Sequence, residues 1–163
     1  DISVPLATLF SHNTKGIDDD APRLSFVRSP VTVSIHGDIP GDIKIPVHPN
    51  HDAMGKRIIS LQNNQIMIEQ EDANNPTYRL KEFADIDEGG QLGSISRSDK
   101  RSIIHWVSAD SSTEAILTLP LQENIEHVKG RVEHHNYPIG TIVQLERIGY
   151  AIIRKDDFLL MHE

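Results

Sequence analysis

The feature that most constrains the fold is the regular alternation of apolar and polar residues in the stretch 141–161. Apolar residues recur there at every second position, as in Val143 and Leu145. Such alternation is typical of β-strands that bury one face. Breaks near Gly149 and at 155–157 divide the stretch into consecutive strands. We therefore expect these strands to form half of a β-barrel.

Shorter segments with the same pattern predict that the remainder of the chain is also mainly β. Asn63-Asn64 is a plausible tight turn, 71–75 suits one helical turn, and 3–17 suits a short amphipathic helix. Many short strands with little helix indicate an all-β barrel architecture. The predicted strands are 31–36, 43–47, 58–59, 65–69, 77–81, 103–107, 115–119 and 128–133.

Composition limits the classes of function that the chain can have. A formal net charge of −8 disfavours nonspecific binding to nucleic acid, so any such binding must use a local basic patch. The absence of cysteine excludes disulfide frameworks and thiolate zinc sites, which makes an intracellular protein the default. No apolar run approaches the ~20 residues of a membrane span, and we expect neither a membrane nor DNA as a partner.

The strongest candidate site is the polar set within 144–147, beside Gly149 and Tyr150. The guanidinium of Arg147 and the amide of Gln144 can each form paired, directional hydrogen bonds, which is how proteins read base edges. Strict alternation places these two side chains on opposite faces, so a bulge near Glu146 is needed to bring them to one ligand. A surface strand with a Glu/Arg pair is the alternative interpretation.

No catalytic centre is evident in the sequence. Neither a GxSxG elbow nor a GxxxxGK[ST] loop occurs. His48 and His51 share a loop, and His134 adjoins His135, but adjacent strand residues point to opposite faces and a zinc site needs three or four converging ligands. We expect solvated histidines and no metal site. A small His-dependent metalloenzyme is kept as an alternative.

Six segments follow one another along the chain: HNTKGIDDDAPRLSFVRSPV, IPVHPNHDAMGKRII, IMIEQEDA, TYRLKEFADI, IIHWVSAD and IVQLERIGYAIIRKDDFLLMH. In this order they resemble the anticodon-binding region of the glutamyl- and glutaminyl-tRNA synthetases, most closely the glutamyl enzyme of archaeal and eukaryotic type. Only EDANNPTY precedes the RLK strand, where bacterial-type glutaminyl enzymes carry a longer insertion, and this favours the glutamyl enzyme.

This resemblance implies a fold of two small closed β-barrels, like those of ribosomal proteins, with a short N-terminal helix. We expect 1–20 to be a helical lead-in, 21–70 plus 141–163 the proximal barrel, and 71–140 the distal barrel. The base-reading positions of the family fall on Arg23, Arg79, Lys81, Gln144 and Arg147.

Lys56 and Arg57 are candidates for phosphate contact or for the barrel rim. The resemblance further implies a partner, tRNA specific for glutamate and possibly also for glutamine, and a cytoplasmic location.

The HIGH and KMSKS signatures of the synthetases are absent from the chain. We therefore expect that ATP and Mg bind to an upstream catalytic domain of a full-length glutamate-tRNA ligase, and that this piece needs no cofactor and is inactive alone. A glutaminyl-tRNA synthetase and a stand-alone RNA-binding β-barrel are the alternative functions.

Overall fold

A computed structural model describes residues 20–96 and 101–162, and strands dominate in them. One helical turn, α1 (Gln70–Ala73), follows β6, and 3₁₀ turns lie at Asp52–Met54 and Glu88–Gly90. The strands are β1 (Arg23–Leu24), β2 (Phe26–Arg28), β3 (Pro30–Ser34), β4 (Asp42–Pro46), β5 (Lys56–Ser60), β6 (Gln65–Glu69), β7 (Tyr78–Leu80), β8 (Asp85–Asp87), β9 (Gln91–Leu92), β10 (Ile103–Ile104), β11 (Val107–Ser108), β12 (Ser112–Pro120), β13 (Ile125–Glu133), β14 (Ile142–Leu145), β15 (Gly149–Ile153) and β16 (Phe158–His162).

The largest sheet has seven strands in the order β1-β14-β15-β16-β12-β13-β2. Its centre is the C-terminal stretch, where β14 pairs antiparallel with β15 and β15 with β16. The expected breaks near Gly149 and at 155–157 are confirmed by the ends of these strands. The long hairpin of β12 and β13 joins the sheet through the parallel pairing of β12 with β16.

Three smaller sheets are built from the segment between β2 and β12. Their strand orders are β10-β7-β8-β9, β11-β6-β3 and β4-β5. Pro46, expected at an edge, lies in the two-stranded sheet of β4 and β5, where a missing N–H is tolerated. The turn at Asn64, whose φ is 57°, and the helical turn α1 also confirm the sequence predictions.

Apolar side chains pack into two separate cores. The first core, lined by residues such as Ile66, Leu80 and Trp106, lies between the three small sheets. The second core, which includes Phe26 and Leu145, lies against the seven-stranded sheet. Alternation explains both cores, because every second strand residue points inward. β12 and β13, which were expected in the distal barrel, share a sheet with the C-terminal strands, which were expected in the proximal barrel. The division into a proximal and a distal barrel stays a prediction.

The all-β class is confirmed, whereas the closure of the sheets into two barrels stays a prediction. The helix expected at 3–17 lies outside the described residues. The bulge expected near Glu146 is wrong, because β14 ends at Leu145 and 146–148 form a tight hairpin turn instead. In this turn the N–H of Ile148 donates to the carbonyl oxygen of Leu145 at 3.0 Å.

Candidate functional site

A buried arginine links β5 of the first core to the seven-stranded sheet. Arg57 Nη2 donates to Glu146 Oε1 at 2.8 Å, and Nη1 lies 3.5 Å from Glu133 Oε1. Nη1 also donates to the carbonyl oxygen of Arg23. Only 12% of the Arg57 side chain is exposed, against 4% for Glu133 and 6% for Glu146. We name these three residues the Arg57 cluster, and in it one cation faces two carboxylates in a place with little water.

The two acidic groups of the Arg57 cluster cannot both ionise without cost. Burial raises the pKa of Glu133 to about 7, even though the charge of Arg57 and a hydrogen bond from the Ser25 N–H lower it, and the nearby Glu146 raises it further. The Ser25 N–H donates to Glu133 Oε1 at 2.6 Å. Desolvation prevails because the carboxyl is deeply buried and shares its single cation with a second carboxylate.

Lys81 contacts Glu146, and two further predicted site residues lie in β14, which ends just before Glu146, and in its neighbour β1. Lys81 Nζ lies 3.5 Å from Glu146 Oε2, and the main chain of Lys81 is fixed by Trp106, whose indole N–H donates to its carbonyl oxygen at 3.0 Å. Arg23 and Gln144 are direct partners in the parallel pairing of β1 with β14. Gln144 Oε1 is buried without a hydrogen-bond partner among the described residues, which is a costly state for an amide oxygen.

Arg147 occupies the centre of the turn between β14 and β15, in the left-handed region with a φ of 63°. Few residues other than glycine, asparagine and aspartate adopt this conformation. The turn is held in place on both sides by buried apolar side chains, since Leu145 and Ile148 pack into the second core. Its strained residue therefore projects from a well-anchored hairpin.

The guanidinium of Arg147 reaches across to two residues associated with the first core. Nη1 donates to Asp72 Oδ2 at 2.9 Å and lies 3.2 Å from His105 Nδ1, while Nη2 donates to Asp72 Oδ1 at 3.3 Å. Asp72 belongs to α1, and His105 lies between β10 and β11. Behind it, His105 Nε2 lies 3.1 Å from Glu69 Oε2. We name Arg147, Asp72, His105 and Glu69 the Arg147 cluster.

Glu69 remains ionised within this cluster. Burial acts to raise its pKa, but the side chains of His105 and Arg28, which lie against the carboxylate, prevail and lower the pKa to about 2. Arg28 holds the carboxylate with two side-chain contacts, Nε to Oε2 at 2.7 Å and Nη2 to Oε1 at 3.0 Å. A permanent negative charge therefore lies beside Nε2 of the fully buried His105 ring.

Two predicted site residues have different surroundings. Arg79 Nη1 lies 3.0 Å from Asp85 Oδ1, and Nη2 donates to the carbonyl oxygen of Ile95 at 2.6 Å, so its guanidinium is turned toward β8 and the following loop. Lys56, beside Arg57 on β5, is exposed. The structure thus brings the side chains of Lys81 and Arg57 to Glu146, and Arg147 is the next residue in the turn. Arg23 and Gln144 are neighbours through the pairing of β1 with β14, and Arg79 makes its contacts elsewhere.

Sequence reasoning missed the acidic and histidine partners of these cations. Asp72, His105 and Glu133 come from three segments that are far apart in the chain. The local signal was clearest at His105, which lies between the buried Ile104 and Trp106, where a titratable side chain needs a partner. Asp72 lies in a polar, mainly exposed segment that gives no such signal.

In 20–96 and 101–162, no group of three His, Asp or Glu side chains could hold a metal ion. No helix in these ranges has the length and apolar character to cross a membrane.

Comparison with known families gives two matches that together span most of the chain. Both family models describe the anticodon-binding domain of class I tRNA synthetases (E and Q), and they match residues 21–92 and 103–154. These matches define the class to which the fold and the site belong. The chain is a member of the anticodon-binding domain family of the class I synthetases for glutamate and glutamine.

Similar proteins with curated names point within this family to glutamate-tRNA ligases of archaea. The glutamate-tRNA ligase of Sulfolobus acidocaldarius is 33% identical over 163 residues, which cover 93% of this chain and 28% of that protein. The enzyme of the same name from Methanothermobacter thermautotrophicus is 29% identical over 88% of this chain and 27% of its own length. That of Pyrococcus furiosus is 29% identical over 95% of this chain and 30% of its own length. The chain thus spans less than a third of these relatives.

Proposed function

We propose that this chain is the anticodon-binding part of a glutamate-tRNA ligase and that it binds the anticodon loop of glutamate tRNA. The observation that carries this proposal is the contact of Arg57 and Lys81 with Glu146, next to Arg147 in the turn, where the two cores meet. The main chains of Arg23 and Gln144 pair in the adjoining strands β1 and β14. Proteins read single-stranded RNA by stacking and hydrogen bonding to splayed bases, and rigid strand and hairpin side chains suit that task. The names of the archaeal relatives favour glutamate over glutamine.

The roles proposed for individual residues follow from exposure and chemistry. Arg147 and Gln144 would contact base edges, Gln144 because its buried oxygen still needs a donor that an exocyclic amino group could supply after a small rotation. Arg23 and Lys81 would flank them. Arg79 would contact the RNA only after its guanidinium exchanged Asp85 for an acceptor on the RNA.

Lys56 is proposed as the phosphate contact. Arg57 is the weaker candidate for that role, since its guanidinium already binds two carboxylates.

The rest of the proposed enzyme lies outside this chain. ATP and Mg would be bound by a class I catalytic domain, which attaches glutamate to the tRNA, and the 163-residue piece would have no ligase activity by itself. The whole protein would act in the cytoplasm. Closure of the sheets into two barrels is part of the same proposal, since a closed sheet presents side chains rigidly at its rim.

The proposal is tested by titrating the chain with glutamate tRNA and with the same tRNA carrying substituted anticodon bases. We expect tighter binding to the unmodified anticodon, and we expect Arg147→Ala to reduce that preference roughly tenfold, since a bidentate contact contributes about 1–3 kcal/mol of discrimination. Equal affinity for both tRNAs would contradict an anticodon-binding role. If glutamine tRNA binds more tightly than glutamate tRNA, the glutaminyl alternative is favoured.

A further inference from the structure

We propose that Asp72 and His105 are positioning residues, which orient the guanidinium of Arg147 toward a pair of adjacent acceptor atoms on the RNA. This inference rests on the proposed function. It adds two residues to the site, and both come from the first core, whereas Arg147 belongs to the hairpin of the seven-stranded sheet. The two cores would thus cooperate in one contact.

Three of the five N–H donors of Arg147 are directed to protein partners. Of the five N–H groups of a guanidinium, the two on Nη1 are directed to Asp72 and His105, and one on Nη2 is directed to Asp72. Among the described residues, no hydrogen bond involves Nε or the second N–H of Nη2. Because 41% of the Arg147 side chain is exposed, this Nε/Nη2 edge is accessible to a ligand. Two parallel donors fit two adjacent acceptors, such as O6 and N7 of guanine or O2 and N3 of cytosine.

The contact with Arg147 determines which ring nitrogen of His105 accepts a hydrogen bond. A guanidinium has no acceptor, so the 3.2 Å contact requires that Nδ1 of His105 carries a lone pair. The proton of the neutral ring then lies on Nε2, beside the ionised Glu69 at 3.1 Å. The Nε2 contact is poorly aligned for a hydrogen bond, so Glu69 acts there mainly through its charge. That charge favours the tautomer that accepts from Arg147.

Arg147 lies at a turn position whose backbone conformation favours glycine. A side chain other than glycine in the left-handed region costs on the order of 1 kcal/mol. Glycine would form the same turn without that cost. Arg147 therefore has a conformation that its backbone disfavours, and its interactions with Asp72 and His105 compensate for this cost in the free protein. A guanidinium fixed in advance loses less entropy when it binds RNA.

Two matched substitutions of His105 separate positioning from a general structural role. The amide of asparagine lies near the place of Nδ1, so His105→Asn can still accept from Arg147. The amide of glutamine lies near the place of Nε2, so His105→Gln keeps a polar group beside Glu69 but not the acceptor. We expect His105→Asn to retain most of the preference for the cognate anticodon and His105→Gln to reduce it roughly tenfold, as the loss of the bidentate contact would.

Asp72→Asn should weaken the cognate complex several-fold, and Asp110→Asn, which alters a hydrogen-bonded pair with Asn63, should leave it unchanged. Nitrogen-15 NMR of the wild-type chain should show His105 with an unprotonated Nδ1, and Arg147→Ala should reduce the preference for that tautomer.

The outcomes distinguish this inference from the proposed function. If Arg147→Ala reduces the anticodon preference while His105→Gln and Asp72→Asn do not, the positioning role is refuted and the proposed function stands. If Arg147→Ala has no effect, both the role of Arg147 and the positioning role are refuted. Should His105→Gln fail to fold, the wild-type tautomer still decides, because a proton on Nδ1 is incompatible with the proposed contact.

Discussion

The Arg57 cluster and the Arg147 cluster both connect the two cores through an arginine, yet their surroundings differ. Arg57 is only 12% exposed and faces two carboxylates. Arg147 is 41% exposed and faces one carboxylate and one imidazole. If Arg57 is removed, two buried carboxyl groups lose the cation that they share. The half-exposed Arg147 can exchange one partner for another because water reaches it.

This difference indicates that Arg57 and Arg147 have different roles where the two cores meet. The Arg57 cluster holds β5 against β13 and the end of β14, and the guanidinium is occupied by the two carboxyl groups. The Arg147 cluster holds its cation in place while one edge of the guanidinium stays accessible. Arginine suits both tasks because its planar fork forms several directed hydrogen bonds at once.

Breaking the Arg57 cluster should produce the largest effect on stability. Arg57→Met keeps the length of the side chain but removes the cation and leaves Glu133 and Glu146 buried without it. Removing one partner of a buried ion pair costs about 3–5 kcal/mol, so we expect a loss of that order in the free energy of unfolding. Urea denaturation monitored by the fluorescence of Trp106 measures it.

An ion pair with a half-exposed cation provides the control for Arg57→Met. Arg154 Nη2 lies 2.5 Å from Asp157 Oδ2, and 46% of the Arg154 side chain is exposed. Asp157 is 12% exposed, but it keeps a hydrogen bond from the Thr118 hydroxyl when the cation is removed. Arg154→Ala should therefore cost no more than about 1 kcal/mol. Similar losses for the two variants would mean that burial does not distinguish the Arg57 cluster.

The second prediction concerns the pH dependence that Glu133 gives to the Arg57 cluster. Because burial raises the pKa of folded Glu133 to about 7, above its value of about 4.3 in an unfolded chain, the folded state binds the extra proton between these values. Stability contributed by this group is therefore complete below about pH 4 and declines as the pH rises to about 7. We expect a decline on the order of 2 kcal/mol between pH 5 and pH 8 that is missing in Glu133→Gln.

Comparing variants isolates this effect from other titrating groups. Glu69 has its pKa lowered to about 2, so its contribution is lost only in acid, well below the range measured. Glu123→Gln, in the exposed loop between β12 and β13, should keep the decline of the wild-type chain. If the free energy of unfolding declines with pH in Glu133→Gln as it does in the wild-type chain, the decline would be assigned to the histidines.

The strands of this protein were predictable from sequence because their signal is local. Alternation located β14, β15 and β16 and the half-buried β3 within a few residues. The turn at 146–148 was missed for a physical reason. Its left-handed residue is Arg147, and the usual sign of that conformation is glycine or asparagine, so the pattern predicted a strand that continues through a bulge near Glu146 and breaks only near Gly149.

The partners of the site residues could not be predicted, since they depend on packing between distant segments. Gln144 and Arg147 were recognisable from chemistry and from a family resemblance. Asp72 meets Arg147 across 75 positions of the chain, and no periodicity specifies such a contact. The same holds for the hairpin of β12 and β13, whose place beside β16 is set by strand pairing far along the chain.

The smallest predicted effect separates the backbone of Arg147 from its side chain. Arg147→Gly and Arg147→Ala both remove the contact with Asp72, but only alanine keeps a Cβ at a φ of 63°. We expect the free energy of unfolding to be about 1 kcal/mol higher for the glycine variant than for the alanine variant. The preference for the cognate anticodon should fall by the same factor in both variants. Urea denaturation and tRNA titration of the two proteins measure these quantities.

An alanine variant as stable as the glycine variant would show that the turn relaxes without the guanidinium. The backbone conformation would then be a consequence of the contacts of Arg147 with Asp72 and His105. In the Arg57 cluster no such separation exists, because Arg57 lies in a regular strand and its side chain alone accounts for its effect.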